Sequence, residues 1–209
     1  MRAAVVSAAV LLGAALFNPV HGKDRVPVSQ LPPGVYQLDR GHASLTWKVD
    51  HLGLSDYTAR FATFDAQLTL TPDDLSKSKV EVTVDPASVR TDYPYADQKD
   101  FDKKLAIGEE WFNAGKFPQI RFDSTRVEMT GDDTFRLYGD LTLLGVTKPV
   151  ALQARLNGAY RSKPFSDVPA LGFSATGSIR RSEWGLDAYL PGIGDEVDLL
   201  VEVEFQRDE

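Results

Sequence analysis

Alternating apolar and polar positions are the dominant pattern along the chain. In residues 64–70, Phe64, Ala66, Leu68 and Leu70 alternate with polar side chains. Because successive side chains of a strand point to opposite faces, this period of two predicts strands with one buried face. Similar runs, some of them broken, occupy positions 45–51, 80–84, 120–129, 135–143, 150–156, 173–181 and 197–205. The pattern therefore predicts about eight strands.

Short polar connections separate most of the predicted strands. Turn residues such as His51-Leu52-Gly53 and Gly145-Val146-Thr147 favour tight links between antiparallel neighbours. A strand of about 11 residues rises roughly 36 Å, and a tilt of about 40° would leave a barrel height of about 28 Å. We therefore predict an all-β fold, an eight-stranded antiparallel lipocalin-like β-barrel that is tall enough for a long, thin guest.

One connection, residues 91–117, is much longer than the others. Loops of this length are uncommon unless they have a structure or role of their own. Residues 97–107 have helical spacing, with Phe101 and Leu105 on one face and mainly charged side chains on the other. The spacing predicts a short helix in this inter-strand connection, folded over an end or a side of the barrel.

The N-terminal segment predicts export. Arg2 is followed by an apolar run over residues 3–17 and then by Val20-His21-Gly22, which fits a signal-peptidase site. A retained membrane anchor would need about 20 apolar residues, more than this run offers. The chain is accordingly divided into a cleavable signal peptide (1–22), an extended, proline-containing leader (23–33) and the folded domain (34–209). We expect a periplasmic or secreted protein.

Composition excludes several classes of function. The 209 residues include 23 basic and 30 acidic side chains, with a net charge of -7, so nucleic acid is not an expected partner. The absence of cysteine excludes disulfides, thiolate nucleophiles and metal–thiolate sites. His42 and His51 match no metal-binding spacing. No catalytic pair stands out, so we expect no enzyme, no metal site and no obligatory cofactor.

The predicted interior combines large aromatic side chains with small residues. Inward positions such as Ala66, Ala154 and Ala175 could leave a channel unfilled. The alternative is that the apolar residues simply form a core, as they do in most small barrels. The residues alone leave both interpretations open.

Several motifs resemble those of one family. The most specific is GDLTLLGVTKPV at residues 139–150, and HASLTWKVDHLG occupies residues 42–53. Further matches are KFPQIRF at 116–122 and IRRSEWG at 179–185. With these motifs the chain resembles the YceI-like family of polyisoprenoid-binding proteins. The resemblance implies an exported barrel that holds a long isoprenoid or other amphiphilic lipid, with no established catalytic residues.

The apolar interior is therefore the candidate site. The candidate lipid contacts are apolar side chains of the strands and of the long connection: Trp47, Val49, Phe61, Phe64, Leu68, Val82, Phe101, Leu105, Phe122, Leu141, Leu143, Phe173, Ile179 and Trp184.

The long connection is where the chain departs from the family pattern. Lys99-Asp100 stands in place of Arg-Asp, and Lys104-Leu105-Ala106 stands in place of His-Leu and Ser. We interpret Lys99, Lys103 and Lys104 as candidate contacts of a lipid headgroup. The segment is either a fixed plug or a lid over the ligand entrance, and the lid is favoured because its charged face could meet a headgroup.

Three hypotheses of function follow. The first is a carrier that holds a polyprenyl chain or isoprenoid quinone for transport or storage. The second is a periplasmic stress or electron-transport accessory protein, with a membrane protein partner, in which bound lipid is incidental. The third, an enzyme acting on a lipid inside the barrel, has the least support. The sequence leaves a homodimer open.

Overall fold

The structure is a computed structural model that describes residues 25–207. The predicted signal peptide at 1–22 lies outside this part of the chain. The strands are β1 (Gly34–Leu38), β2 (Ser44–His51), β3 (Ser55–Phe61), β4 (Phe64–Leu70), β5 (Lys79–Val84), β6 (Val89–Arg90), β7 (Ile120–Met129), β8 (Thr134–Leu143), β9 (Val146–Tyr160), β10 (Ala170–Arg180) and β11 (Ile193–Gln206). The helices are α1 (Phe101–Ile107) and the 3-10 segments Val28–Gln30, Arg40–His42, Leu75–Lys77, Pro86–Ser88 and Arg181–Trp184.

These strands form one closed antiparallel barrel. The order around the ring is β1-β4-β5-β7-β8-β9-β10-β11, and β11 pairs with β1 to close it. β2 pairs with the earlier part of β11, β3 pairs with β2, and β6 pairs with β3. β1 and β2 are thus two parts of one barrel strand, as are β3 and β4, and β5 and β6. The predicted eight-stranded antiparallel barrel is confirmed.

The interruption between β3 and β4 is stabilised from a neighbouring barrel strand. Ser88, which is buried, lies in the matching interruption between β5 and β6. The backbone N–H of Thr63 donates to the Ser88 hydroxyl at 2.9 Å, and that of Ala62 donates to the Ser88 carbonyl at 3.0 Å. The two breaks therefore satisfy each other's polar groups.

Gly139 is required by the close approach of a ring. A Cβ atom at Gly139 would lie 2.4 Å from the ring of Phe122 and 2.7 Å from the carbonyl oxygen of Asp123. The missing side chain lets the Phe122 ring lie across β8. This fixes one aromatic wall of the barrel interior.

Residues 25–33 pack against the end of the barrel where β1 begins and β9 ends. Leu31 is buried in the core cluster, and Val28 packs against it. The Tyr36 hydroxyl donates to the carbonyl of Pro32 at 2.8 Å, and the N–H of Val26 donates to Ala159 at 3.0 Å. This part of the predicted extended leader is therefore a packed segment, because its apolar side chains cover the end of the core.

A small ion-pair network lies on the same end of the barrel. The Lys163 ammonium is 2.8 Å from Asp39 and 2.7 Å from Glu204. His42 Nδ1 lies 2.9 Å from the Asp39 carboxylate oxygen that Lys163 also contacts. Asp39, His42 and Glu204 are close enough together to hold a metal ion, but Lys163 already supplies the positive charge that neutralises these carboxylates.

This network predicts a loss of stability in acid. The hydrogen bond from Lys163 lowers the pKa of Asp39 from 3.8 to about 2, so Asp39 stabilises the fold above pH 3.8 and this contribution disappears as pH falls through about 2. We expect the contribution to be about 1–2 kcal/mol, since both side chains are partly exposed. Urea unfolding of wild type and Lys163→Met from neutral pH to pH 2 measures it.

The Lys163→Met variant should lose most of this pH dependence, whereas Lys77→Met, which removes an exposed partner of Asp74, should retain it. If the free energy of unfolding changed with pH in Lys163→Met as steeply as it does in wild type, the role of Lys163 would be contradicted.

Candidate functional site

The barrel encloses an apolar cavity of about 850 Å³. All eight barrel strands contribute to its lining, mainly with Leu, Val and Phe side chains. Ala66, Ala154 and Ala175 also belong to the lining, so space that larger residues would fill stays empty. The volume lies within the range of roughly 300–1,000 Å³ that ligand sites usually have. The interior is therefore a cavity and not a completely filled core.

Most of the candidate lipid contacts lie together around this cavity. Those in its lining are Trp47, Val49, Phe61, Phe64, Leu68, Val82, Phe101, Leu105, Phe122, Leu141, Leu143, Phe173 and Ile179. Trp184 is not part of this lining: it is buried in the core, and its Nε1–H donates to the carbonyl of Leu141 at 3.2 Å. The reason is that β10 ends at Arg180, so the alternation does not extend to Trp184.

Aromatic pairs hold the cavity wall in shape. Phe173 contacts Phe135 and Phe205 edge to face, with ring centroids 6.0 and 6.1 Å apart. Phe112, from the long connection, contacts Phe61 in the same way at 5.2 Å. Edge-to-face pairs favour particular ring orientations. The wall is thus preformed, and the long connection is part of it.

Helix α1 is shorter than the predicted helix over 97–107. It begins at Phe101 because Asp100 is its N-cap, accepting a hydrogen bond from the N–H of Lys103 at 2.9 Å. Asp102 anchors the helix to the strand end before it, accepting from the N–H and hydroxyl of Thr91 at 2.8 and 2.6 Å. Residues 97–100 precede the helix as turn and loop.

The packing of α1 favours the plug over the lid. Leu105 is only 4% exposed and belongs to the same core cluster as the strand residues. The chain then folds back, so that Phe112 and Ala114 donate backbone hydrogen bonds to Leu105 and Ala106 at 3.1 and 2.8 Å. These bonds tie the helix to the segment that follows it, while the burial of Leu105 packs it against the strands. The burial is the observation that favours a plug.

Two of the three predicted headgroup lysines lie at the cavity. Lys99 Nζ is 4.8 Å from the ring centroid of Phe101, and Lys104 Nζ is 5.9 Å from that of Tyr189. Both lysines line the cavity. Lys103 is exposed and is not part of the lining, because successive helix residues point about 100° apart and Lys104 occupies the inward direction. The structure therefore does not place Lys103 at the cavity with Lys99 and Lys104.

Sequence reasoning missed Arg181, a buried cation beside the cavity. It is 5% exposed, and it lines the cavity near the β10–β11 connection. Its guanidinium donates to the carbonyls of Gly194 (2.7 Å), Leu186 (2.6 Å), Ala188 (3.0 Å) and Ile193 (2.9 Å). Burial lowers the pKa of Arg181 from its usual value. Its place in the 179–185 motif was the available signal, but arginine is mostly exposed in proteins, so the residue type alone does not indicate a buried position.

Aromatic residues from two of the connections between strands were also missed as lining residues. Trp111 and Phe112 come from the long connection, and Tyr189 comes from the β10–β11 connection. The indole of Trp111 stacks on the ring of Tyr189, with centroids 5.8 Å apart. These contacts join the two connections at one end of the barrel, which we call the mouth.

The comparison with known sequences decides the family. The YceI-like domain matches residues 36–205. The chain belongs to the YceI-like family. One relative, Protein YceI of Escherichia coli, is 36% identical over 171 residues, which are 81% of this chain and 85% of the relative. The YceI-like domain thus reaches from within β1 to the penultimate residue of β11 and does not include the residues before β1.

Two solved structures share the fold of this YceI-like domain. BcnA of Burkholderia cenocepacia matches with a TM-score of 0.67 at 21% identity, over 80% of this chain and 98% of BcnA. A polyisoprenoid binding domain from Saccharophagus degradans matches with a TM-score of 0.60 at 14% identity, over 83% of this chain and 98% of that domain. At these identities the likeness establishes the fold.

No helix among residues 25–207 is both long enough and apolar enough to cross a membrane.

Proposed function

We propose that this YceI-like protein holds one long apolar lipid, a polyprenyl chain or an isoprenoid quinone, inside its barrel for transport or storage. The observation that carries the proposal is the cavity of about 850 Å³ with an almost wholly apolar lining. Such a lining offers few groups that could replace the water around a soluble metabolite. The fold shared with a polyisoprenoid binding domain supports the same chemistry.

The serine of the cavity lining is not arranged as a nucleophile. The one serine there, Ser78, accepts a hydrogen bond from the backbone of Thr71 at 3.0 Å. Among the described residues no base is hydrogen-bonded to its hydroxyl, as an activated nucleophile would require.

Export belongs to this proposal and rests on the signal-like segment at 1–22. The mass of the purified polypeptide tests it, since cleavage after Gly22 would leave Lys23 as the first residue. Three expectations from the sequence remain predictions: the accessory role in stress or electron transport, the membrane protein partner, and the homodimer that the sequence leaves open.

Removal of the lipid should lower thermal stability. A ligand that binds the native state alone stabilises it by about 2.7 kcal/mol at a hundredfold excess over its Kd, which corresponds to a shift in Tm of about 5–10 °C for a domain of this size. Calorimetry before and after delipidation measures the shift, and added lipid should restore the higher Tm. A metal chelator serves as the control and should leave Tm unchanged. An identical Tm before and after complete delipidation would contradict the proposal.

A further inference from the structure

The barrel wall is interrupted on one side, between β5 and β7. These two strands pair only along residues 81–84 of β5. β7 then continues to Met129, and in the part of the chain that the structure describes this continuation pairs with β8 alone. Where the strands separate, the backbone N–H of Val80 donates to the Ser124 hydroxyl at 2.8 Å, so a side chain replaces the next bond of the ladder.

A β-bulge lies at the point of separation. The register of β7 with β8 shifts between Ser124 and Arg126, and a bulge of this kind bends its strand. The 3-10 segment Leu75–Lys77, which precedes β5, lies next to β7. Among the described residues, side chains and not a hydrogen-bonded ladder therefore close the wall between residues 75–79 and 125–129.

The cavity reaches the surface of the barrel at this interruption. Leu75 and Ser78 line it from one side, and Val127 lines it from the other. Lys79 also lines the cavity although it is exposed. A residue that both lines a cavity and contacts solvent marks an opening. We call the gap between Leu75, Ser78, Lys79 and Val127 the side opening.

The end of the barrel opposite the mouth is covered. β10 runs from this end, where Ala170 pairs with Tyr160, towards the mouth. Leu31 is buried in the core cluster here, and Val28 packs against that cluster. A lipid chain that enters at the mouth and reaches this end therefore meets the packed segment 25–33, with the side opening beside it.

A second, smaller cavity of about 220 Å³ adjoins the side opening. Leu75 lines both cavities. The other large apolar residues that line the smaller cavity are Val26, Val28 and Leu156, and Asp132 and Asp133 also border it. A hydrocarbon end that passes Leu75 thus meets apolar side chains outside the barrel.

We propose that the distal end of the bound chain leaves the barrel through the side opening, so that the protein accepts lipids longer than its cavity. This inference rests on the proposed function and adds how the length of the chain is accommodated. In a closed cavity a longer chain would have to coil or leave its end in water at the mouth, and hydrocarbon left in water weakens binding. The side opening instead lets the end lie against the apolar side chains of residues 25–33.

The test compares two alcohols of different chain length, geranylgeraniol and undecaprenol, on delipidated protein. Tryptophan fluorescence reports their binding, because Trp47 and Trp111 line the cavity. We expect wild type to bind undecaprenol at least as tightly as geranylgeraniol. In Leu75→Phe/Val127→Phe, whose rings would close the side opening from both sides, affinity for undecaprenol should fall at least tenfold, equivalent to about 1.4 kcal/mol. Affinity for geranylgeraniol should stay within threefold of wild type.

Lys77→Phe/Thr125→Phe is the matched control. It adds two rings to the same two segments, but both positions are exposed and neither lines the cavity. This variant should bind both alcohols like wild type.

A second measurement needs no variant. Undecaprenol that carries a benzophenone at the end distal to its hydroxyl group is bound to wild type and irradiated. We expect crosslinks to residues 75–79 or 25–29. Crosslinks confined to the mouth, or to strand residues within the cavity, would overturn the proposal.

The possible failures of the binding test are distinguishable. Much weaker binding of undecaprenol than of geranylgeraniol to wild type would overturn the side opening but leave the lipid-binding barrel intact. Equal losses of affinity for both alcohols in Leu75→Phe/Val127→Phe would also overturn it, since the rings would then narrow the cavity itself. Failure of both alcohols to bind wild type would contradict the proposed function.

Discussion

Ala175→Trp should abolish lipid binding and leave the barrel folded. Ala175 lies on β10, pairs with Ala154 on β9 and points into the cavity. It is half-buried although it faces inward, which shows that the space in front of it is empty. An indole at this position would occupy space that a lipid chain needs. We expect affinity for geranylgeraniol to fall at least a hundredfold, about 2.7 kcal/mol, in a titration followed by fluorescence.

Thr176→Trp is the control for this variant. Thr176 is the next residue of the same strand and is exposed on the outer face of the barrel. It adds the same indole without entering the cavity, so binding should be unchanged. If Ala175→Trp kept a native circular dichroism spectrum and bound the lipid like wild type, the lipid would not lie in the cavity.

Leu105→Ala should destabilise the lipid-free protein by about 2–5 kcal/mol, the range for truncating a fully buried leucine. Leu105 is 4% exposed and packs into the core beneath α1. Its removal would leave a cavity where the helix joins the barrel. Urea unfolding of delipidated protein measures the loss, with Ile107→Ala as the control. Ile107 belongs to the same helix but is 54% exposed, so its truncation should cost less than about 1 kcal/mol.

The rate of lipid release from Leu105→Ala separates the two roles of this segment. A large loss of stability with an unchanged release rate would establish α1 as a plug. A stability close to that of wild type, with release more than tenfold faster, would establish a lid and contradict the importance of Leu105 burial.

The barrel could be predicted because its signal is local. Each strand alternates between a buried and an exposed face, so the side chains of β4, from Phe64 to Leu70, report their own environment. The interruptions are less visible, since the break after Phe61 depends on Ser88, 27 residues further along the chain and in another barrel strand. The alternation of apolar and polar residues shows which face of a strand is inward. It does not show where the backbone leaves the hydrogen-bonded pairing with the neighbouring strand.

The candidate site could be predicted in part for the same reason. Inward positions such as Trp47 and Phe122 line the cavity as expected. The radius of the barrel and the rotamers of its inward side chains decide whether those side chains fill it. The alternation of apolar and polar residues carries no information about either. Trp184 and Arg181 lie after the last residue of β10, where the alternation no longer reports direction. Lys103 and Lys104 differ by one step of a helix whose rotation depends on the burial of Leu105 and on the hydrogen bonds between Asp102 and Thr91.

Native mass spectrometry of the protein as purified from its own cells tests the central claim most directly. If the cavity holds a lipid, the spectrum should show the polypeptide with the added mass of about one lipid per chain, and collisional activation should release it. Ala175→Trp, purified in parallel, should show the polypeptide alone. Bare polypeptide from wild type, under conditions in which known lipid carriers keep their ligands, would contradict the account.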